Sequence, residues 1–198
     1  MKRSMLSTPS VRLAGIAVLS GWLALSTGCA RLQLQPPQQS VDNTRAARAI
    51  GFKGAAVGPF ALAEGLPRSL DLSISVRGST LYSPYKDSLA RYMEETLRAE
   101  LVGADLLDPA SPTVITGQLT RSAVDASASQ GSAELGMRFQ VTRAGQRVFD
   151  KELVEQQTWE SSFVGAIAIP LAMDQYTSLY RRLVARLLQD QGFADAVR

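Results

Sequence analysis

Residues 132–142 read Ser132-Ala-Glu-Leu-Gly-Met-Arg-Phe-Gln-Val-Thr142, in which Ala133, Leu135, Met137, Phe139 and Val141 alternate with Glu134, Gly136, Arg138, Gln140 and Thr142. Successive side chains of a strand point to opposite faces, so this stretch predicts a strand with one face on a core and the other in water. Arg143-Ala144-Gly145 follows as a short hairpin loop, with Gly145 available for positive φ. Gln146 to Gln157 then returns, with Val148, Phe149, Leu153 and Val154 as its apolar content. Those residues do not keep one phase, which predicts a bulge or an edge position. Upstream, Thr113 to Arg121 is a third strand. Ser122 to Gly131 (SAVDASASQG) between them reads as a small-residue, solvated loop.

Two helices flank these strands in sequence. Ser83-Pro84 predicts a helix start, with Ser83 as N-cap and Pro84 in the first helical position. Leu89, Met93, Leu97 and Leu101 form its apolar stripe, and Gly103 its stop. The second helix is predicted from at or just before Pro170 to about Leu188. Met173, Tyr176, Leu179, Tyr180, Leu183, Val184 and Leu187 recur there at helical spacing. Arg181, Arg182 and Arg186 take its solvated side. Before the first helix, Gly54 to Leu62 is a candidate strand weakened by Gly58 and Pro59. Leu70 to Arg77 alternates more cleanly, with Leu70, Leu72, Ile74 and Val76 apolar. The order β-β-α-β-β-β-α predicts a two-layer α+β fold, with a mainly antiparallel sheet and both amphipathic helices on one face.

The N-terminus has a different character. Lys2, Arg3 and Arg12 precede the apolar run Leu13 to Leu25, and Ser26, Thr27 and Gly28 lead to Cys29, the only cysteine among 198 residues. The run falls short of the roughly 20 apolar residues that span a bilayer, and reads as a signal-peptide core. Leu25-Ser26-Thr27-Gly28-Cys29 resembles the lipobox of bacterial lipoproteins, with the leucine one place further back than usual. That resemblance implies cleavage after residue 28, a diacylglyceryl group on the Cys29 thiol and acylation of its new amino group. Ala30, rather than aspartate, resembles the outer-membrane sorting class of Gram-negative lipoproteins. The chain then divides into a signal peptide over 1–28, a lipidated extended tether over 29–53 and a periplasmic domain over 54–198. Pro36, Pro37 and the glutamines beside them favour extended backbone in that tether, and its 24 residues after Cys29 would reach about 80 Å. Arg31-Leu32-Gln33-Leu34-Gln35 also alternates and is compatible with a short edge strand.

Composition narrows the chemistry. There is no histidine, which excludes Ser-His-Asp and Cys-His catalysis and every histidine-ligated metal site. The 21 basic and 18 acidic residues become 18 of each once the leader's three basic residues are removed, so bulk charge gives no case for nucleic-acid binding. Ser83-Pro84-Tyr85-Lys86 matches S-x-x-K, the nucleophile motif of penicillin-binding enzymes, but no S-D-N or K-T-G partner accompanies it. Carboxylates are dispersed, and neither a calcium loop nor a phosphate-binding glycine loop is present. The expected protein is not an enzyme and carries no cofactor and no metal.

The stretch Trp159-Glu-Ser-Ser-Phe-Val-Gly-Ala-Ile-Ala-Ile-Pro170 stands apart, because Phe163 to Ile169 carries no charge where a strand hands over to a helix. One reading makes it a buried crossover or the first helical turn, completing the core. The other makes it an exposed apolar lip. Together with Arg77-Gly78-Ser79-Thr80, Ser83-Pro84-Tyr85, Ile115-Thr116-Gly117 and Phe149-Asp150-Lys151, it resembles small proteobacterial lipoproteins of the YajG type. More remotely these segments are similar to auxiliary lipoproteins of envelope ABC transporters. The likeness runs from about residue 70 to the C-terminus. It implies an envelope location and a two-layer fold, and supplies no catalytic residue.

The expected function is therefore an adaptor or accessory component of an envelope complex, anchored at Cys29 with an envelope protein as partner. A carrier of lipid or another apolar ligand is the alternative, and a Ser83/Lys86 hydrolase the third. Gly78, Ser79, Tyr82, Ser161, Phe163 and Val164 form the candidate binding surface. They flank two strand-to-helix junctions expected to share one end of the domain with two open helix N-termini. The strand register itself is testable. Phe139→Ala should cost about 3–5 kcal/mol and Gln140→Ala little, so equal denaturation midpoints would overturn the assignment.

Overall fold

Residues 32–198 are described by the computed structural model, and the leader and Cys29 lie outside them. In chain order the elements are β1 (Leu32–Gln33), α1 (Val41–Ile50), β2 (Ala56–Leu62), α2 (Ser69–Leu72), β3 (Ile74–Val76) and β4 (Ser79–Tyr82). Then follow α3 (Leu89–Gly103), β5 (Thr113–Ala126), β6 (Gln130–Arg143), β7 (Gln146–Glu160), α4 (Gly165–Gln189) and α5 (Gln191–Val197). The main sheet has the order β2-β5-β6-β7, and a small sheet the order β1-β4-β3. β5, β6 and β7 are antiparallel neighbours, while β2 joins β5 in parallel.

The alternation of β6 is realised as read. Leu135, Met137, Phe139 and Val141 are fully buried, and Arg138 is exposed. β7 is both an edge strand and bulged, since its register slips between Val141–Phe149 and Thr142–Arg147 and leaves Val148 unpaired. The extra residue accounts for the phase change in its apolar residues. On the opposite face, cross-strand ion pairs cover the sheet: Arg121 with Glu134 and Glu152, and Arg138 with Asp150. α3 packs on β2 and β5, and α4 on β5, β6 and β7, which puts the helical layer on one side. The rings of Tyr92 and Tyr180 meet edge to face at 4.7 Å where the two helices touch.

Several expectations are corrected. Ser122 to Gly131 is not a loop: β5 continues to Ala126 and β6 starts at Gln130, so the hairpin is longer and its turn shorter. Small residues there lie between two strands whose ladder continues through them. Leu70 to Arg77 is not one strand. Pro67 and Arg68 start a helical turn, with the Leu70 N–H on the Pro67 carbonyl and the Asp71 N–H on the Arg68 carbonyl, and only Ile74–Val76 is extended. α3 begins at Leu89 rather than Pro84. Ser88 is the N-cap and accepts the Arg91 N–H, because Lys86 and Asp87 adopt left-handed backbone that no helix continues through. α4 starts at Gly165, so Pro170 lies inside it instead of opening it.

The largest correction concerns the tether. Residues 32–53 belong to the folded unit. β1 lies parallel to β4, with Leu32 opposite Leu81 and Gln33 opposite Tyr82, and the Leu34 N–H continues the pairing to the Tyr82 carbonyl at 2.9 Å. The Leu34 side chain is buried, as are Ala47, Ile50 and Phe52. α1 is locked to the helical layer by Glu100, which is itself buried. One Glu100 oxygen accepts the Ser40 N–H and the other the Asn43 side-chain amide, both at 2.9 Å. Asn43 also donates to the Arg181 carbonyl, which joins α1 to α4. The Pro36-Pro37 segment is extended as expected, but it bridges two docked elements. Leu34→Ala should destabilise the protein by about 2–5 kcal/mol in chemical denaturation, whereas a free tether would leave the midpoint unchanged.

Candidate functional site

Three connections converge at one end of the main sheet: the β3–β4 turn, the β5–β6 turn at 127–129 and the link from β7 into α4. Arg77 and Gly78 form the first, with φ of 49° and 80°. Two successive positive φ values make the type I′ hairpin turn, whose twist suits the flanking strands. The Arg77 guanidinium then ties the other two connections together. Its Nε donates to the Ala126 carbonyl at 2.6 Å and its Nη1 to the Phe163 carbonyl at 3.0 Å. The Ser161 N–H donates to the Ser129 carbonyl at 3.1 Å. Trp159 floors the link: its indole lies over Gly131, where a Cβ would come within 2.3 Å of the ring. Packing alone holds that indole, since its buried Nε1–H meets no acceptor.

Above this floor the apolar run divides: Ala168 is buried and Ile169 packs against the core as the first helical turn, while Phe163, Val164 and Ile167 are exposed and do not complete it. Phe163 is 83% exposed, Val164 55% and Ile167 56%. Val164, the N-cap of α4, and Ile167 are three residues apart on one side of its first turn, and Phe163 immediately precedes the helix. The opposite side carries Ala168 and Ala172, which are buried. The first turn of α4 therefore has one face on the fold and the Ile167 side in water. Neighbouring apolar side chains left in water mark a contact surface more often than they serve the fold.

Of the sequence-selected surface residues, Gly78, Ser161, Phe163 and Val164 are brought together through Arg77, and Ser79 adjoins them. Tyr82 is the outlier. It stands at the far end of β4, about 10 Å along the strand, half-buried beside Gln33. The two helix N-termini do not meet either. Tyr92 in the first turn of α3 packs on Tyr180, 15 residues into α4, or about 22 Å along its axis. The N-terminus of α3 is also already occupied: Asp71 accepts the Ala90 N–H at 2.7 Å and the Ser88 hydroxyl at 3.1 Å. The two helix N-termini therefore do not form a shared anion site at this end.

The catalytic candidates fare no better as a constellation. Ser83 is buried and its Oγ accepts the Tyr85 N–H, while Lys86 is exposed on a left-handed residue. The pair spans a turn, not the helical turn the S-x-x-K motif requires. Asp150 is engaged by Arg138, Gln140 and Arg147, and the Arg138 hydrogen bond leads in holding its carboxyl below the usual range. A buried hydroxyl chain runs from Ser122 to Tyr176 at 2.7 Å and on to Tyr180 at 3.0 Å. Desolvation pushes the Tyr176 phenol up to about 12, so it stays a neutral hydrogen-bonding group.

Clefts on the described surface include the following four. One of about 440 Å³ lies between Gln35–Gln38 and Tyr92, Asp174 and Arg181, and another of similar volume lies beside α1 at Val41 and Arg45. The third, about 330 Å³, is at Val124 and Gln157, and the fourth, about 500 Å³, at Lys151 and Arg186. None of the four is lined by Phe163 to Ile169.

No protein-family model and no curated protein matches the sequence. Among solved structures, a DUF330 protein from Xanthomonas campestris is similar at 18% identity and a TM-score of 0.47, over 80% of this chain and 91% of that one. A hypothetical protein from Chlamydia trachomatis is similar at 15% identity and 0.40, over 72% and 98%. A minor lipoprotein from Acinetobacter baumannii is similar at 10% identity and 0.36, over 68% and 92%. Likeness of this degree assigns neither a family nor an activity.

Arg77 is the testable joint of the site. Arg77→Ala should speed amide exchange in Ser79–Tyr82 and in Val164–Ala168 together, at a stability cost of about 1–2 kcal/mol, and leave the middle of β6 protected. Faster exchange in only one segment would show that the two are not coupled through this side chain.

Proposed function

We propose that this chain is a lipid-anchored, non-enzymatic envelope protein. On this reading residues 1–28 are its signal peptide, Cys29 carries the acyl chains, and the domain stands on the periplasmic side of the outer membrane as an accessory or adaptor component of an envelope complex. The observation that carries the reading is the position of the cysteine. It closes a signal-peptide-like leader and stands three residues before Leu32, where the described fold begins. That is where an acyl anchor would have to stand. Three acyl chains far exceed the single chain that gives only marginal, reversible binding, so attachment is permanent.

Binding rather than catalysis is supported by the state of the polar groups. Ser83 is spent on a turn, Asp71 on a helix cap, Glu100 on α1, and Asp150 on surface ion pairs. The exposed feature left over is the apolar end at Phe163, Val164 and Ile167. Cys29→Ser should move the protein to the soluble periplasmic fraction or leave it uncleaved at the inner membrane. Fractionation of the variant with the outer membrane, as for the wild type, would contradict the anchor. Detergent extracts of native cells should yield the protein with a membrane complex. Bound lipid in the purified protein would support the carrier alternative, and labelling of Ser83 by an acylating probe the hydrolase.

A further inference from the structure

We infer that the end of the domain bearing Phe163, Val164 and Ile167 rests in the lipid leaflet that holds the acyl chains of Cys29. The inference builds on the proposed lipidation and adds which surface faces the membrane and at what distance.

The argument is one of chain direction and reach. β1 runs parallel to β4, so the N-terminal end of β1 points toward the Ser79 end of β4. That end is closed by the Arg77–Gly78 turn, and Arg77 reaches from it to the Phe163 carbonyl at 3.0 Å. The chain leading back to the anchor therefore leaves the fold directed toward the end that carries the apolar lip, from Leu32 opposite Leu81, about 7 Å along β4 from Ser79. Three peptide units join Cys29 to Leu32, and at 3.8 Å each they span at most about 11 Å. The Cys29 backbone is accordingly held within about 11 Å of the start of β1, and the acyl chains begin one thioether-linked glyceryl unit beyond it. A leaflet held that close meets three large apolar side chains that have no partner in the fold. Amphipathic surfaces settle about 5–10 Å into the headgroup and acyl boundary, a depth that the first turn of α4 supplies.

Charge gives no attraction to anionic headgroups. Arg77 is committed to two backbone carbonyls, and Asp125 and Glu160 are exposed at the same end. The contact should therefore form on uncharged phosphatidylcholine.

The test uses the full acylated protein reconstituted in phosphatidylcholine vesicles. An acylated Cys29 has no free thiol, so Ile167→Cys or Val148→Cys offers a single site for an environment-sensitive fluorophore. Val148 is an exposed control 11 residues before Trp159 on β7, or about 36 Å along the strand. The label at 167 should be quenched by doxyl-labelled lipid and be several-fold less accessible to iodide than the label at 148. With Phe163→Ser and Val164→Ser added, lipid quenching at 167 should fall several-fold while the protein stays in the vesicles. Equal iodide access at both positions, with Cys29 acylated, would overturn the inference and leave the anchor standing. Protection at 167 from iodide and from lipid quencher alike would overturn it in favour of a second copy on the lip. A second label per chain, on a free Cys29, would instead overturn the lipidation on which the inference rests.

Discussion

The backbone of Leu32 and Gln33 lies parallel to that of Leu81 and Tyr82, and the Leu34 N–H extends the pairing by one more hydrogen bond. These few contacts are short for a strand pair, and they hold because their surroundings are apolar or complementary. Leu34 is buried, and Glu100 takes the free donors at the start of α1. With them in place the N-terminal segment is part of the domain. A stretch able to reach about 80 Å is shortened to a link of about 11 Å. Orientation at a membrane, access to a partner and the role of the apolar lip all depend on that difference.

The long hairpin of β5, β6 and β7 supplies the frame in which this matters. Its strands carry their ladder to one end, where the turn at 127–129 and the β7–α4 link lie side by side. α4, at 25 residues about 37 Å long, starts at that end and runs back across the sheet. Its first turn has one face on the fold and the Ile167 side in water. Arg77, held in a left-handed conformation that costs about 1–2 kcal/mol, fixes the small sheet to the link into α4. β1, parallel to β4, starts with its N-terminal end directed toward the end of the domain that carries the lip.

Much of the frame was legible in the sequence. The period of two in Ser132–Thr142, the turn at Ala144–Gly145, the bulge in the returning strand and the stripes of both long helices all register directly as burial. What was missed shares one physical origin: local signals that only tertiary partners can interpret. Pro36, Pro37 and a glutamine-rich segment have the composition of a linker, yet Leu34 and Ile50 find a core and Glu100 finds Ser40 and Asn43 across the fold. Leu70 and Leu72 fit a strand's period equally well as a single helical turn. Ser83-Pro84 is a sound helix start by type, and the left-handed Lys86 and Asp87 that defer the helix carry no mark in the sequence. For the site, an uncharged run at Phe163–Ile169 was visible, but its exposure depended on where α4 begins relative to the sheet. Arg77, which assembles that end, gave no signal beyond standing before Gly78.

With the proposed anchor at Cys29, the folded domain sits directly on the membrane that holds it. Neutron reflectometry of the acylated protein on a supported phosphatidylcholine bilayer measures this as the thickness of water between headgroups and protein. The account predicts protein density beginning within the headgroup layer, with no separate hydrated gap. A water layer of several tens of ångströms beneath the domain, as a free tether over 30–53 would allow, would contradict it.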